Sequence, residues 1–232
     1  MPRLFAERQP HLVEHMDRED CDPQRLENTY RQFSLINRLL ARWKKVYQSE
    51  IRPLMQQNQP YTMLDIGFGG GDLPVRMQQW ARQDGIDLFV TAIDPDPRAF
   101  RFVQKNRPKA PVQWQQTSSS ALAEKGQSFD FVISNHLLHH LTDSQAVDMM
   151  QETSALARKK VIFNDIERSA IGYGLFNVFS RPLFRKSFIT EDGLTSIKRS
   201  FTRDELRRVV PNGWQVKPLF PFRLLAVYEP EN

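Results

Sequence analysis

The chain has 232 residues, of which 40% are hydrophobic and 25% charged. This is enough for one α/β domain with additions, but not for two full domains. A single cysteine, Cys21, excludes a disulfide framework and a cysteine-based zinc site, and favours a reducing, cytoplasmic compartment. The N-terminus lacks the apolar stretch of a secretory signal, and no apolar run reaches the roughly 20 residues that span a bilayer. The formal charge of +5 suits an acidic ligand, nucleic acid or an anionic lipid surface, but is also common on ordinary enzymes.

The elements are predicted in chain order as a tail, a helical cover and an α/β domain. Residues 1–24 form a polar tail that we expect to be extended or loosely ordered. Residues 25–57 form an N-terminal helical cover, because their apolar side chains recur with helical spacing, as one amphipathic helix or a broken pair. From residue 60 to 232, strands and helices alternate. This predicts an α/β fold with a doubly wound, mostly parallel seven-stranded sheet covered on both faces.

The pattern changes after the fifth predicted strand. Residues at about 168–200 form an insertion whose first part, "GYGLFNVFSRPLF", is aromatic-rich and reads as irregular. It is expected either to roof an apolar acceptor pocket or to form a satellite hydrophobic cluster under a loop. A short helix with the capping box Thr202–Glu205 follows. Two antiparallel strands, broken at Pro221, end the chain.

A glycine-rich turn, "LDIGFGGGD", follows the first strand. Asp72 stands where a dinucleotide-binding fingerprint would have its third glycine, and a carboxylate there would repel a pyrophosphate. A cationic ligand such as S-adenosylmethionine fits better, because the glycines permit close backbone approach and Asp65 favours positive charge. The alternative, a tight turn with Asp72 as a helix cap, stays open.

A second acidic residue, Asp94, ends the second strand in "TAIDPDP". A carboxylate at this place can accept the two hydroxyls of a ribose. A simple turn aspartate before Pro95 is the alternative. Asp96, two residues further on, is expected to cap the following helix.

Three segments in this order, "LDIGFGGGD", "AIDPDP" and "FDFVISNHLLHHL", resemble the class I S-adenosylmethionine-dependent methyltransferase superfamily over about residues 61–165. The D/E-x-G-x-G-x-G motif is matched by Asp65, Gly67, Gly69 and Gly71. More loosely, "YRQFSLINRLLARWKK" resembles the helical cover of the ubiquinone and menaquinone biosynthesis C-methyltransferases. The resemblance implies a Rossmann-like fold and S-adenosyl-L-methionine as cofactor.

The same resemblance implies where the cofactor lies. Asp65 and the turn from Gly67 through Phe68 and Gly69 to Gly71 lie along its methionine part. Asp94 takes the ribose hydroxyls and Pro95 lies near the adenine.

Two further parts of the resemblance concern the ends of the third and fourth strands. Asn135 and His136, at the end of the fourth strand, flank the methyl group. Many members have an acidic residue after the third strand for the adenine amine, where this chain reads "QQTSSSAL". Thr117 and Ser118 are expected to replace it through a hydroxyl or the backbone.

Three histidines, His136, His139 and His140, follow the fourth strand. Histidine titrates near neutrality, so His136 and His139 are candidate general bases, whereas His140 is expected to be structural. Their spacing could also present nitrogens to a metal, but no cysteine or local acidic cluster completes a ligand set, and no metal is expected. The alternative that all three only pack or cap the next helix stays open.

The predicted function is methyl transfer to a small, hydrophobic or phenolic acceptor, at oxygen rather than carbon. A biosynthetic role follows as an expectation. The alternatives are an RNA or protein methyltransferase that uses the basic surface, and a non-catalytic binding module on the same fold. No DNA partner is expected, and the oligomeric state stays open. Arg181, Arg185 and Lys186 favour an acidic acceptor or peripheral contact with a membrane surface.

Overall fold

A computed structural model describes residues 5–230 of the chain. Its seven strands are β1 (Pro60–Ile66), β2 (Asp87–Ile93), β3 (Val112–Gln115), β4 (Phe129–Asn135), β5 (Ala157–Ile166), β6 (Trp214–Leu219) and β7 (Arg223–Tyr228). They form one sheet in the order β3-β2-β1-β4-β5-β7-β6. β1 to β5 run parallel, and β7 is antiparallel to both β5 and β6. The predicted doubly wound sheet is therefore confirmed.

The helices of the described part are α1 (Pro23–Ile36), α2 (Trp43–Val46), α3 (Asp72–Gln83), α4 (Pro97–Asn106), α5 (Ser119–Glu124), α6 (Asp143–Leu156), α7 (Ala170–Leu183), α8 (Ile189–Arg199) and α9 (Arg203–Val209). The Thr202–Glu205 capping box is present at α9. The Asp96 side chain caps α4 by accepting the Arg98 N–H, as predicted. Helix α5 was not predicted, because its sequence is short and rich in serine.

The core lies on both faces of the sheet, because the side chains of a strand alternate between its faces. On one face Met63 and Ile133 pack with the buried side chains of the N-terminal cover and α3. On the other face Leu64 and Val132 pack with α6. Burial on both faces is the reason why these strands read as continuous apolar runs.

The N-terminal cover is a broken pair of helices. After α1 the chain makes a π-helical turn, Asn37–Ala41, and Arg42 has a left-handed φ of 54° before α2 begins. Asn37 lies in this turn, where it contacts Asp72 beside the glycine-rich turn. After the break the chain runs away from the site, and Tyr47 contacts Asp84 at the C-terminal end of α3.

The described part of the tail, residues 5–22, is packed and not loosely ordered, which corrects the sequence prediction. Phe5 is 6% exposed and Glu14 is 3% exposed. The backbone N–H groups of His15 and Met16 donate to the Asp192 carboxylate of α8. A polar segment becomes ordered where its hydrogen-bonding groups find buried partners, and these partners lie far away in the sequence.

The insertion consists of the two helices α7 and α8, so the irregular reading of "GYGLFNVFSRPLF" was wrong. Its glycines allow close packing: a Cβ on Gly193 would lie 2.4 Å from the Phe176 ring, and one on Gly172 would lie 3.1 Å from the Phe222 ring. Ser169 caps α7 by accepting the Gly172 N–H. The domain limits drawn from the sequence stay predictions.

Candidate active site

A cavity of about 870 Å³ lies beyond the carboxyl ends of β1, β2, β4 and β5, under the N-terminal cover, α7 and α8. In a doubly wound sheet this edge is where ligands bind. The volume lies in the range of small-molecule and cofactor sites. The cavity has a polar side at the ends of β1 and β2 and an apolar side at α7 and the β6–β7 turn.

Asp65 is a buried carboxylate at the end of β1. It is 1% exposed, and burial, together with the charges of Asp72 and Asp94, raises its pKa well above the usual range. Its Oδ2 atom has no hydrogen-bond partner among residues 5–230. Because a buried unpaired carboxylate oxygen is costly, a cationic or hydrogen-bond-donating ligand group would be stabilising here.

Asp94 lines the same cavity at the end of β2. Its Oδ2 accepts the Gly69 N–H at 3.0 Å, and its Oδ1 accepts the Asp96 N–H at 3.0 Å. Burial raises its pKa, although these two backbone bonds oppose the shift. A carboxylate has about four lone-pair sites, so Asp94 can hold the turn and still accept hydroxyl groups. Pro95 lies beside it in the cavity wall.

The glycine-rich turn lies between the sheet and α1. The Gly67 N–H donates to the Ile93 carbonyl oxygen at 2.8 Å, which ties the turn to β2. A Cβ on Gly70 would lie 2.3 Å from the Tyr30 carbonyl oxygen of α1, so the cover requires glycine there. Phe68 lines the cavity and contacts the Trp114 ring edge-on, with 5.1 Å between centroids.

Other predicted cofactor residues lie outside the residues that line the cavity. Gly71 is closed off by the Trp114 and Val103 side chains, each 2.7 Å from where a Cβ would be. Ser118 is the N-cap of α5 and accepts the Ala121 N–H. Neither Ser118 nor Thr117 lines the cavity, so their adenine contact stays a prediction.

A chain of polar side chains connects the cover to the site. Asn37 donates to Asp72 Oδ1 at 3.0 Å and accepts from Asn135 Nδ2 at 3.0 Å. Gly71 is the N-cap of α3, and no side chain caps that helix, so the reading of Asp72 as its cap was wrong. Asp72 instead fixes the position of Asn37, and through it Asn135 at the end of β4.

His139 lies between two carboxylates. Its Nδ1 is 2.7 Å from Asp165 Oδ1, and its Nε2 is 3.4 Å from Glu14 Oε1. Burial lowers the pKa of His139, but Asp165 and Glu14 outweigh burial and raise it to about 9. At neutral pH His139 therefore carries its proton, and both ring nitrogens face carboxylates. A group in this state is not free to accept a proton, which argues against His139 as the general base.

His136 has a different environment. Arg223 Nη1 lies 3.0 Å from its Nε2 and 3.4 Å from its Nδ1. Because a guanidinium only donates, the ring nitrogen that it bonds is unprotonated. Burial and the Arg223 charge lower the pKa of His136 well below the usual range. His136 is therefore neutral, and its lone pair is engaged by Arg223.

Arg223 is a buried cation in the cavity wall, 2% exposed. It donates to Asn164 Oδ1 at 2.8 Å and to Asn135 Oδ1 at 3.0 Å. Burial lowers its pKa to about 10, with Asp165 opposing. No carboxylate lies within salt-bridge distance of its guanidinium among the described residues.

Two triads of potential metal ligands occur in the described part of the chain: Glu14 with His139 and His140, and His136 with His139 and Asp165. Both contain His139, whose nitrogens already face carboxylates. The prediction that the site needs no metal stays a prediction.

Sequence reasoning missed four residues of the site: Glu14, Asn37, Asp165 and Arg223. Asp165 carried a usable signal, because it is a carboxylate at the end of a predicted strand. Arg223 carried another, as a charge within the apolar run "FRLLAVY". Glu14 and Asn37 had no such signal, since their roles depend on long-range packing.

Comparison with known protein families and sequences finds similarity to methyltransferases. Residues 63–160 match a family described as a methyltransferase domain. An uncharacterized methyltransferase of Mycobacterium tuberculosis is 34% identical over 83 residues, 36% of this chain and 39% of that protein. A ubiquinone biosynthesis O-methyltransferase of Methylobacterium nodulans is 30% identical over 87 residues, 37% of this chain and 32% of that protein. The alignments thus span less than half of these relatives.

Solved structures extend the likeness to the fold. The plantazolicin methyltransferase BpumL, solved in complex with SAH, matches with a TM-score of 0.58 and 14% identity, over 90% of this chain and 95% of that one. A protein described as a putative Zn-dependent alcohol dehydrogenase from Rhodobacter sphaeroides matches with a TM-score of 0.54, so the fold alone does not select a reaction. The ordered motifs, the domain match and the sheet topology together support the resemblance to the class I S-adenosylmethionine-dependent methyltransferases.

Proposed function

We propose that the chain is an active methyltransferase that uses S-adenosyl-L-methionine. The unpaired Oδ2 of Asp65 carries the proposal, because it is a buried carboxylate oxygen of a residue that lines the cavity at the expected edge of the sheet. S-adenosylmethionine brings an ammonium group and no phosphate, which fits a site with Asp65, Asp72 and Asp94 around one turn. When bound, this cofactor supplies an electrophilic methyl group.

The acceptor in this proposal is a small, hydrophobic or phenolic molecule. The side of the cavity opposite Asp65 is formed by apolar groups, among them Phe176, Phe179 and Phe222. A wall of this kind binds apolar ligands and keeps water from the reacting atoms. The hydrophobic lining gives no support to an RNA or protein acceptor, and that alternative stays a prediction.

Transfer to oxygen rather than carbon is supported by Arg223. Its guanidinium contacts the side chains of Asn135 and His136, where the resemblance puts the methyl group. A buried cation stabilises an ionised hydroxyl or carboxylate. Since His139 is protonated and His136 accepts from Arg223, a pre-ionised acceptor oxygen fits this site better than one that needs a strong base. The enzyme's main contribution is then to align the acceptor oxygen with the methyl group of the cofactor.

Calorimetric titration with S-adenosylmethionine tests the cofactor assignment. We expect wild type to bind and Asp94→Ala to bind at least about tenfold more weakly, because hydrogen bonds to a charged group contribute about 1.5–3 kcal/mol. Asp87→Ala, an exposed aspartate at the other end of β2, is the control and should bind as wild type. Lack of binding by folded wild type would refute the proposal.

The acceptor class is tested separately. Pools of phenols, quinols, carboxylic acids and tRNA are incubated with enzyme and cofactor, and release of S-adenosylhomocysteine is measured. We expect turnover with an apolar acid or phenol, and mass spectrometry of the product locates the methyl group. Turnover with tRNA alone, or methylation at carbon, would contradict the acceptor proposal while leaving the cofactor assignment intact.

A further inference from the structure

Helix α7 presents an apolar face to solvent. Ile171 is 69% exposed, Leu175 47%, Val178 64%, Phe179 62% and Leu183 54%. These residues recur at steps of three and four, so they form one continuous stripe along the helix. Isolated exposed apolar residues are normal, but a contiguous stripe of large ones marks an interaction surface.

The neighbouring face of α7, one residue further round the helix, is already packed. Gly172 and Ser180 are buried, and Phe176 contacts the position of Gly193 on α8. Neighbouring positions therefore supply the packing of α7 within this chain, and the outer part of the stripe is left exposed. In the β6–β7 turn beside it, Phe220 is 82% exposed.

The charge next to the stripe is positive. Residues 169–189 contain no aspartate or glutamate. Arg181 lies in the last turn of α7, Arg185 and Lys186 follow the helix, and all three are exposed. An apolar helix face with basic residues at its border is complementary to a bilayer with anionic headgroups, where the apolar groups enter the interface and the cations meet phosphates.

The stripe continues into the site. Leu175, Phe179, Leu183 and Phe220 line the cavity as well as being exposed, so the mouth of the cavity lies within the apolar surface. No helix in the described range 5–230 is long and apolar enough to cross a membrane. With 14 residues, α7 is suited to lie along the interface.

We propose that the outer face of α7, together with Phe220, docks on the surface of a bilayer that contains anionic lipid. In this position the cavity opens toward the acyl chains. A lipophilic acceptor then passes from the bilayer to the site without crossing water, a consequence that rests on the proposed function. The docking itself does not depend on catalysis.

Vesicle flotation tests the docking. We expect the full chain to float with phosphatidylcholine vesicles that contain phosphatidylglycerol, and to float less with phosphatidylcholine alone or at high salt. The double variant Val178→Asp/Phe179→Asp should lower the partition coefficient at least about tenfold, because it places two charges in the apolar interface. Phe89→Asp is the matched control, since Phe89 is 62% exposed on β2 and lies outside the stripe.

A charge-reversal variant, Arg181→Glu/Arg185→Glu, tests the basic border without altering the apolar stripe. Each cation near an anionic surface contributes about fivefold to binding, so this variant should lose its preference for phosphatidylglycerol. Lys125→Glu, at an exposed site after α5, should keep that preference. Circular dichroism and S-adenosylmethionine titration of every variant separate loss of docking from loss of fold or of the cofactor site.

Two results would overturn the docking. One is a folded, cofactor-binding wild type that floats with neither vesicle. The other is a dimer in light scattering that Val178→Asp/Phe179→Asp converts to monomer while wild type does not float, because α7 would then cover a second copy of the chain. Failure of cofactor binding with intact flotation would instead contradict only the proposed function.

Discussion

His139 is a buried charge in the wall of the cavity, held between the carboxylates of Asp165 and Glu14. The Asp165 Oδ2 atom also accepts the backbone N–H of His139 at 2.9 Å. One carboxylate therefore fixes both the ring and the main chain of His139. A buried imidazolium with two carboxylates is stabilising only while all three are charged, because loss of one charge leaves the others uncompensated.

The stability of the fold should depend on pH through His139. Its pKa rises from 6.5 in the unfolded chain to about 9 in the fold, so its contribution is complete below about pH 6.5 and is lost as pH rises through 9. We expect the free energy of unfolding of wild type to fall by roughly 2 kcal/mol over this range. Urea unfolding at a series of pH values measures it.

Two variants make this test specific. His139→Gln should be less stable at neutral pH and should lose the alkaline decline, whereas His11→Gln, at an exposed position, should retain it. On the acid side Glu14 contributes, because burial raises its pKa but His139 lowers it to about 2 from 4.5. Its contribution is therefore complete above pH 4.5 and lost toward pH 2. Asp165 contributes as well, because His139 outweighs burial and holds the pKa of Asp165 below its usual range. An unchanged alkaline slope in His139→Gln would show that another group titrates.

At the scale of elements, the N-terminal cover lines the cavity and is hydrogen-bonded to the site through Asn37. Asn37 is held at the π-helical turn after α1 and joins Asp72 at the start of α3 to Asn135 at the end of β4. The cover also closes on the glycine-rich turn at Gly70, where the Tyr30 carbonyl leaves no space for a side chain. The position of this helix therefore determines the shape of the cofactor side.

Removing the Asn37 side chain should loosen this connection. Asn37→Ala leaves the buried Asp72 Oδ1 and the Asn135 amide without their partner, so we expect a loss of about 1–3 kcal/mol of stability and weaker S-adenosylmethionine binding. Asn28→Ala is the control, because the side chain of Asn28, on α1, makes only exposed bonds, to the Lys186 carbonyl and the Gln24 amide. A loss in Asn28→Ala equal to that in Asn37→Ala would contradict the special role of Asn37.

The elements differ in how far sequence could predict them. The strands, the turn around Asp65 and the position of Asp94 follow from local patterns. The alternation of strands and helices, the spacing of glycines and the ends of strands can each be recognised within a short stretch of sequence. The α7–α8 pair was missed because its glycines allow packing against Phe176 and Phe222. In the sequence alone, such glycines indicate turns. The state of His139 was missed because Glu14 and Asp165 come from distant segments.

At the scale of the whole molecule, the N-terminal segment connects parts that are far apart in the chain. Arg8 donates to the Arg199 carbonyl at 2.8 Å and to the Leu141 carbonyl at 2.9 Å, and pairs with Asp143 at 2.6 Å. Its guanidinium lies 3.4 Å from the centre of the Phe201 ring. One side chain thus joins the segment before α1 to the end of α8 and the start of α6, beside His139.

Arg8→Ala should therefore destabilise the whole fold. The Arg8 side chain is only 8% exposed, and its loss leaves two carbonyl oxygens without donors and removes a cation–π contact, so we expect roughly 2–4 kcal/mol in urea unfolding. Arg31→Ala is the control. Its side chain is 54% exposed and pairs with Glu27 on the same helix, an interaction that contributes about 0.3–0.5 kcal/mol. Because Arg8 touches none of the predicted cofactor residues, the affinity of the folded variant for S-adenosylmethionine should stay within a few-fold of wild type. Equal urea midpoints for Arg8→Ala and Arg31→Ala would show that Arg8 does not stabilise the fold by joining the N-terminal segment to α6 and α8.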